Sequence, residues 1–151
     1  PGKVIGGEIL VSHEKLRQNW EAMVQASMFC ETLDVLTQTF FPNGQEYSLL
    51  TQTLEDMEAA TQPALVRIRS SLILLKILGY SLRHHPLWKS LPHGDQAMLA
   101  RLGIWKLESG LFSGEVIAKM DRIAQSYLAL FLSMPLKSEA FVRKLEAAAI
   151  P

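Results

Sequence analysis

Residues 63–80 read Pro63-Ala64-Leu65-Val66-Arg67-Ile68-Arg69-Ser70-Ser71-Leu72-Ile73-Leu74-Leu75-Lys76-Ile77-Leu78-Gly79-Tyr80, and their spacing decides the fold class. Leu65, Ile68, Leu72, Leu75, Gly79 and Leu82 recur at steps of three and four, which is one face of an α-helix and not the alternation of a strand. Pro63 sits where a first-turn proline is tolerated, after Thr61 and Gln62 as capping candidates. The opposite face carries Arg69, Ile73, Lys76, Tyr80 and Arg83, a basic stripe interleaved with apolar residues. Taken alone, such a stripe is ordinary solvated surface.

The same period extends in both directions. Ser12 is a candidate N-cap with Glu14 in the first turn. From there Leu16, Trp20, Met23, Ser27, Cys30, Leu33 and Phe40 mark a core face, with Val24, Met28, Phe29 and Val35 as a second apolar flank. That helix is expected to end near Phe41, because Pro42-Asn43-Gly44 is a breaker cluster. A second helix is expected from Gln45 to Ala60, carrying Tyr47, Leu50, Leu54 and Met57. Residues 81–95, with Pro86, Pro92, Gly94 and three histidines, read as a loop. A short helix from Asp95 to Glu108 follows and ends at Gly110. Ser113 caps a long helix through Ile117, Met120, Ile123, Ala124, Tyr127, Leu128 and Phe131, which Pro135 stops. Ser138 caps a last helix with Phe141, Val142 and Leu145. Alternation of period two is confined to Lys3–Leu10. The expected architecture is therefore all-α, a compact five- to six-helix domain over 12–151, with 1–11 a linker or the end of a missing N-terminal domain.

Composition narrows the function classes. A chain of 151 residues with 48% apolar and 20% charged residues can bury a core without staples and is not a disordered polymer. Fifteen basic residues balance fifteen acidic ones, so whole-surface attraction to nucleic acid or anionic membrane is disfavoured, while a local basic patch remains open. Apolar runs such as Leu72–Leu75 fall far short of the ~18 residues that a membrane helix needs, and no signal-peptide pattern opens the chain. The single cysteine, Cys30, permits neither an internal disulfide nor a cysteine-based zinc site. A reducing cytoplasm is the expected compartment. Pro1 without a preceding Met suggests a fragment or a processed chain.

Little in the chain suggests catalysis. His84, His85 and His93 lie close in sequence but have only Asp95 to complete a tetrahedral set, so solvated histidines and no bound metal are expected. Cys30, beside Leu33 on the expected core face, reads as a small buried hydrophobe rather than a nucleophile. Glu55, Asp56 and Glu58 stand on the polar side of their helix. Gly6-Gly7 lacks the remainder of a phosphate loop, and no nucleophile elbow, zincin or P-loop motif occurs. No enzyme activity and no cofactor are expected.

Three segments together resemble the C-terminal helical region of the bacterial recombination mediator RecO. They are Gly7-Glu8-Ile9-Leu10 with Leu16 and Ala26-Ser27-Met28-Phe29-Cys30-Glu31-Thr32-Leu33; Arg69 to Leu78-Gly79-Tyr80; and Tyr127-Leu128-Ala129-Leu130-Phe131-Leu132 leading to Pro135-Leu136-Lys137-Ser138. Departures are Glu139 where arginine is usual, Ser70 where an aromatic is common, and the missing four-cysteine zinc module after Tyr80. Zinc is therefore not carried over. The family's OB-fold, its principal platform for single-stranded DNA, is expected to be absent from this chain.

The resemblance implies a DNA repair and recombination mediator of the RecF pathway. Such a protein works with RecR in strand annealing and recombinase loading. Its helical region docks the acidic, phenylalanine-ended tail of single-stranded-DNA-binding protein. Arg69 matches the family position for pairing the tail's carboxylate, with Leu65, Leu72 and Ile73 supplying an apolar slot and Lys76 and Arg83 attracting the acidic stretch. Rival readings are a helical scaffold or dimerisation module, and a small-ligand regulator with Trp88, Trp105 and Tyr80 lining a pocket.

Overall fold

In a computed structural model, which describes residues 11–37, 44–102, 112–132 and 134–148, all regular structure among the described residues is helical. The order is α1 (Glu14–Gln18), α2 (Trp20–Leu36), α3 (Gly44–Ala59), α4 (Pro63–Ile77), a 3-10 turn (Leu82–His84), α5 (Pro86–Ser90), α6 (His93–Leu102), α7 (Gly114–Leu128) and α8 (Lys137–Ala148). The expected all-α class is the observed one, with two five-residue helices, α1 and α5, added to the longer ones. The alternation at Lys3–Leu10, Trp105 and the helix end at Gly110 lie outside the described residues.

Local chemistry sets the boundaries. The run from Ser12, expected to be one helix, breaks at Asn19, whose extended backbone lets its side chain accept the Ala22 N–H at 3.2 Å and cap α2. His13, in the left-handed region at φ 46°, precedes α1 in place of Ser12, whose carbonyl instead accepts from Arg17 at 3.0 Å. α2 ends at Leu36 rather than near Phe41, because Thr37 turns extended and returns both its N–H and its hydroxyl to the Leu33 carbonyl. Ser113 caps α7 as expected, accepting from Val116 N–H. Ser138 is not a cap; it lies inside the first turn of α8.

α4 is the central helix, packed by α2, α3 and α7. Its burial extends well beyond the expected stripe, taking in Val66, Arg67, Ser70, Ser71 and Leu74. One core joins Leu65, Ile68 and Leu75 to Leu82, Leu99, Leu102, Met120, Ala124, Tyr127 and Leu128; a second joins Val66 to Leu16, Ala22, Ala26, Phe29 and Met57. The buried side of α2 is thus Ala22-Ala26-Phe29, rotated from the expected face. Trp20 and Cys30 are consequently exposed, which corrects the reading of Cys30 as a buried hydrophobe. Small residues carry this face because they let α2 approach α4 closely.

The described parts of the three quoted motif segments meet in space; Gly7–Leu10 lie outside the described residues. Glu31 of α2 accepts the Lys137 N–H at 2.7 Å, the Ser138 N–H at 2.8 Å and the Ser138 hydroxyl at 2.5 Å, so one carboxylate caps α8 from another helix. Tyr127 donates its hydroxyl to the Tyr80 carbonyl at 3.2 Å, and the Tyr80 ring lies 4.5 Å from that of Phe131. The Leu-Gly-Tyr ending itself closes α4: Gly79 at φ 89° lets its N–H reach Lys76 O and the Tyr80 N–H reach Leu75 O at 2.7 Å, the paired bonds of a Schellman cap.

Candidate partner-docking site

That glycine reversal returns the chain over α4 and builds a pocket. Its walls are Leu72, Ile73 and Lys76 of α4, Ser81, Leu82 and Arg83 of the 3-10 turn and its approach, Trp88 of α5, and Leu99 and Ala100 of α6, around about 180 Å³. For scale, an engineered apolar cavity of about 150 Å³ takes up one benzene. The space therefore suits a single aromatic ring.

Four of the six residues singled out from sequence, Leu72, Ile73, Lys76 and Arg83, come together there. Two do not. Leu65 is sealed in the core. Arg69 does not line the pocket; it is ion-paired with Asp56 of α3, which also accepts from Gln52. Its guanidinium is thereby committed within the fold, because Asp56 sits where α3 packs on α4. Sequence reasoning placed Trp88 only in the rival ligand-binding reading and missed Leu82, Leu99 and Ala100 as pocket walls; the Pro86-Leu87-Trp88 run inside an apparent loop was the available signal. Of the rival's other residues, Tyr80 packs its ring against Phe131 and is not among the pocket walls.

Arg67 was also missed. It is 2% exposed and bonds Gln25 and Asp121, each at 2.5 Å, tying α4 to α2 and α7. A buried guanidinium requires such partners. The histidines are dispersed in their roles. His85 Nδ1 accepts the Leu87 N–H at 3.2 Å and so caps α5, while His84 and His93 are exposed. Among the described residues no group of three metal-ligating side chains occurs.

Charge is strongly polarised along the chain. Residues 63–102 hold Arg67, Arg69, Lys76, Arg83, Lys89 and Arg101 against Asp95 alone, whereas 11–62 hold eight acidic residues and only Lys15 and Arg17 as basic ones. Asp95 is buried and paired with Lys119 at 2.7 Å, and Arg67 and Arg69 are paired. Lys76, Arg83, Lys89 and Arg101 have no ion-pair partner among the described residues, and all four are exposed. Two of them, Lys76 and Arg83, line the pocket and make its lining cationic in a chain of zero net charge.

Among the described residues the chain is thus an all-helical domain with a slot lined by apolar side chains together with Lys76 and Arg83. Residues 17–85 match the family model described as Recombination protein O C terminal. No curated protein and no solved structure matched the chain. The match supports a RecO C-terminal helical domain in this chain, in a family whose role is DNA repair and recombination. It runs from the end of α1 through the 3-10 turn, including the pocket walls of α4 and those at Ser81, Leu82 and Arg83; Trp88, Leu99 and Ala100 lie beyond it. Among the described residues no helix is long and apolar enough to cross a membrane.

Proposed function

We propose that this chain is the peptide-docking part of a recombination mediator and binds the acidic, phenylalanine-ended tail of single-stranded-DNA-binding protein. The observation that carries this reading is the ring-sized slot whose rim holds Lys76 and Arg83. The phenyl ring enters between Leu72, Ile73, Leu82 and Trp88. The terminal carboxylate pairs with Arg83, and Lys76 attracts the acidic residues before it. The role is non-enzymatic, acts in the bacterial cytoplasm, and serves recombinase loading and strand annealing together with RecR. Arg69, which the family resemblance offered as the carboxylate's partner, acts instead through Asp56 to hold α3 on α4.

A labelled peptide with several acidic residues and a C-terminal phenylalanine tests this by fluorescence anisotropy. A charge-assisted hydrogen bond contributes about 1.5–3 kcal/mol, and solvent screening of the exposed Arg83 favours the lower end. Arg83→Ala should therefore weaken binding about tenfold, since ~1.4 kcal/mol is tenfold. Lys76→Ala should cost less, and its effect should fade at high salt. Parent-like binding by Arg83→Ala, or equal binding of a peptide lacking the phenylalanine, would sink the reading.

A further inference from the structure

The wall of the slot that carries Trp88 is a five-residue helix, α5, far shorter than a helix that holds itself together in water. Its position must come from outside. At its start the His85 ring accepts the Leu87 N–H. At its end the Trp88 carbonyl accepts the Leu91 N–H at 3.3 Å, and the Trp88 and Leu91 carbonyls both accept from the Gln96 amide Nε2 at 2.9 Å. Gln96 stands in the first turns of α6. That helix is itself anchored by buried Leu99 and Leu102 and by the Asp95–Lys119 pair to α7. Leu87, Trp88 and Leu91 pack their side chains on the core, and the Gln96 amide ties the backbone of the slot-lining residue to α6.

We propose that Gln96 is the positioning residue of the pocket: by clamping the Trp88 and Leu91 carbonyls to α6 it fixes the slot at the width of one aromatic ring and sets the preference for an aromatic over a smaller aliphatic peptide end. The occupant rests on the docking reading above; the clamp on Trp88 does not. Trp88 lines the slot at the same residue whose carbonyl is held, so a loosened α5 moves the indole with it. A wall that must be ordered on binding lowers affinity, and lowers it most for the ligand that fills the slot.

The test uses the full chain with Trp20→Phe and Trp105→Phe, leaving Trp88 as the sole tryptophan. Gln96→Met removes the donor at similar size; Gln96→Glu keeps the shape and sets a carboxylate against the two carbonyls. Thermal melts confirm that both variants fold. Acrylamide quenching of Trp88 should rise in both. Binding of the acidic phenylalanine-ended peptide should weaken on the order of tenfold, with a smaller loss for a leucine-ended one, so that the preference narrows. Unchanged quenching, or a preference that survives in both variants, overturns the proposal. If the parent binds neither peptide while Gln96→Met still exposes Trp88, the docking reading falls and the clamp stands.

Discussion

Removing the Glu31 carboxylate should loosen the last helix. Glu31 supplies acceptors to two of the first N–H groups of α8 and to the Ser138 hydroxyl, groups that a helix start cannot satisfy by itself. Losing a side-chain cap costs about 0.5–2 kcal/mol, and the carboxylate's charge at the positive end of α8 contributes about 0.3–1 kcal/mol. Because the site is partly solvated, we take about 1–2 kcal/mol for Glu31→Ala and less for Glu31→Gln, which keeps one oxygen. In a domain of this size each kcal/mol moves Tm by about 2–4 °C. Circular-dichroism melts at neutral pH should show that drop, with amide exchange at Lys137 and Ser138 accelerated. Desolvation pushes the Glu31 carboxyl upward, but the Ser138 hydroxyl, the Ser138 and Lys137 N–H groups and the Lys137 charge outweigh it and hold the group below its ordinary value. A carboxyl depressed by folding stabilises fully above its unfolded pKa of about 4.3 and loses that contribution as pH falls through the folded value. The gap between parent and Glu31→Gln should accordingly shrink on acidification. A Glu31→Ala protein that melts like the parent, with Lys137 and Ser138 equally protected, refutes the reasoning.

Three further outcomes follow from the same geometry. Asp121→Ala leaves the buried Arg67 without its counter-charge, and should cost about 3 kcal/mol, visible as a lower urea midpoint, whereas Asp56→Ala beside the more accessible Arg69 should cost less. Cys30 is exposed, yet partial desolvation holds its thiol above the ordinary value; iodoacetamide should alkylate it more slowly than glutathione near pH 8, and a faster rate would contradict the assigned environment. If the chain's contact with single-stranded DNA is confined to Lys76, Arg83, Lys89 and Arg101, log Kobs should fall with log salt at a slope no steeper than about −3; a much steeper slope in a salt titration would require a wider DNA surface.

The helical class was legible because large apolar residues recur at helical spacing in α4 and α7, and the starts of those helices carry plain chemical markers in Pro63 and Ser113; Gly79, counted on the core face by its spacing, is exposed and ends α4 instead. α2 was harder. Beside Phe29, its buried side rests on Ala22, Ala26 and Thr32, small or polar residues that a pattern of large hydrophobes passes over, so the spacing assigns Trp20 and Cys30 inward when they face out. α4 was misread for the opposite reason. A helix buried on several sides has no single stripe, and Arg67 counts as surface until Gln25 and Asp121 are brought to it from distant parts of the chain. The pocket was half legible: Leu72, Ile73, Lys76 and Arg83 share a local spacing, but α5 and α6 come from a stretch that reads as loop. Arg69 could not be separated from the rim cations without knowing that Asp56 lies against it.

Two hydrophobic cores share α4 as a common wall, Val66 serving one and Leu65, Ile68 and Leu75 the other. Neither half can detach without stripping one side of that helix bare to water. The domain is therefore expected to lose its structure in one cooperative step instead of shedding the α1–α3 portion first. The interior amides of α4 should exchange with solvent only through global opening, which makes them the natural reporter of the domain's total stability.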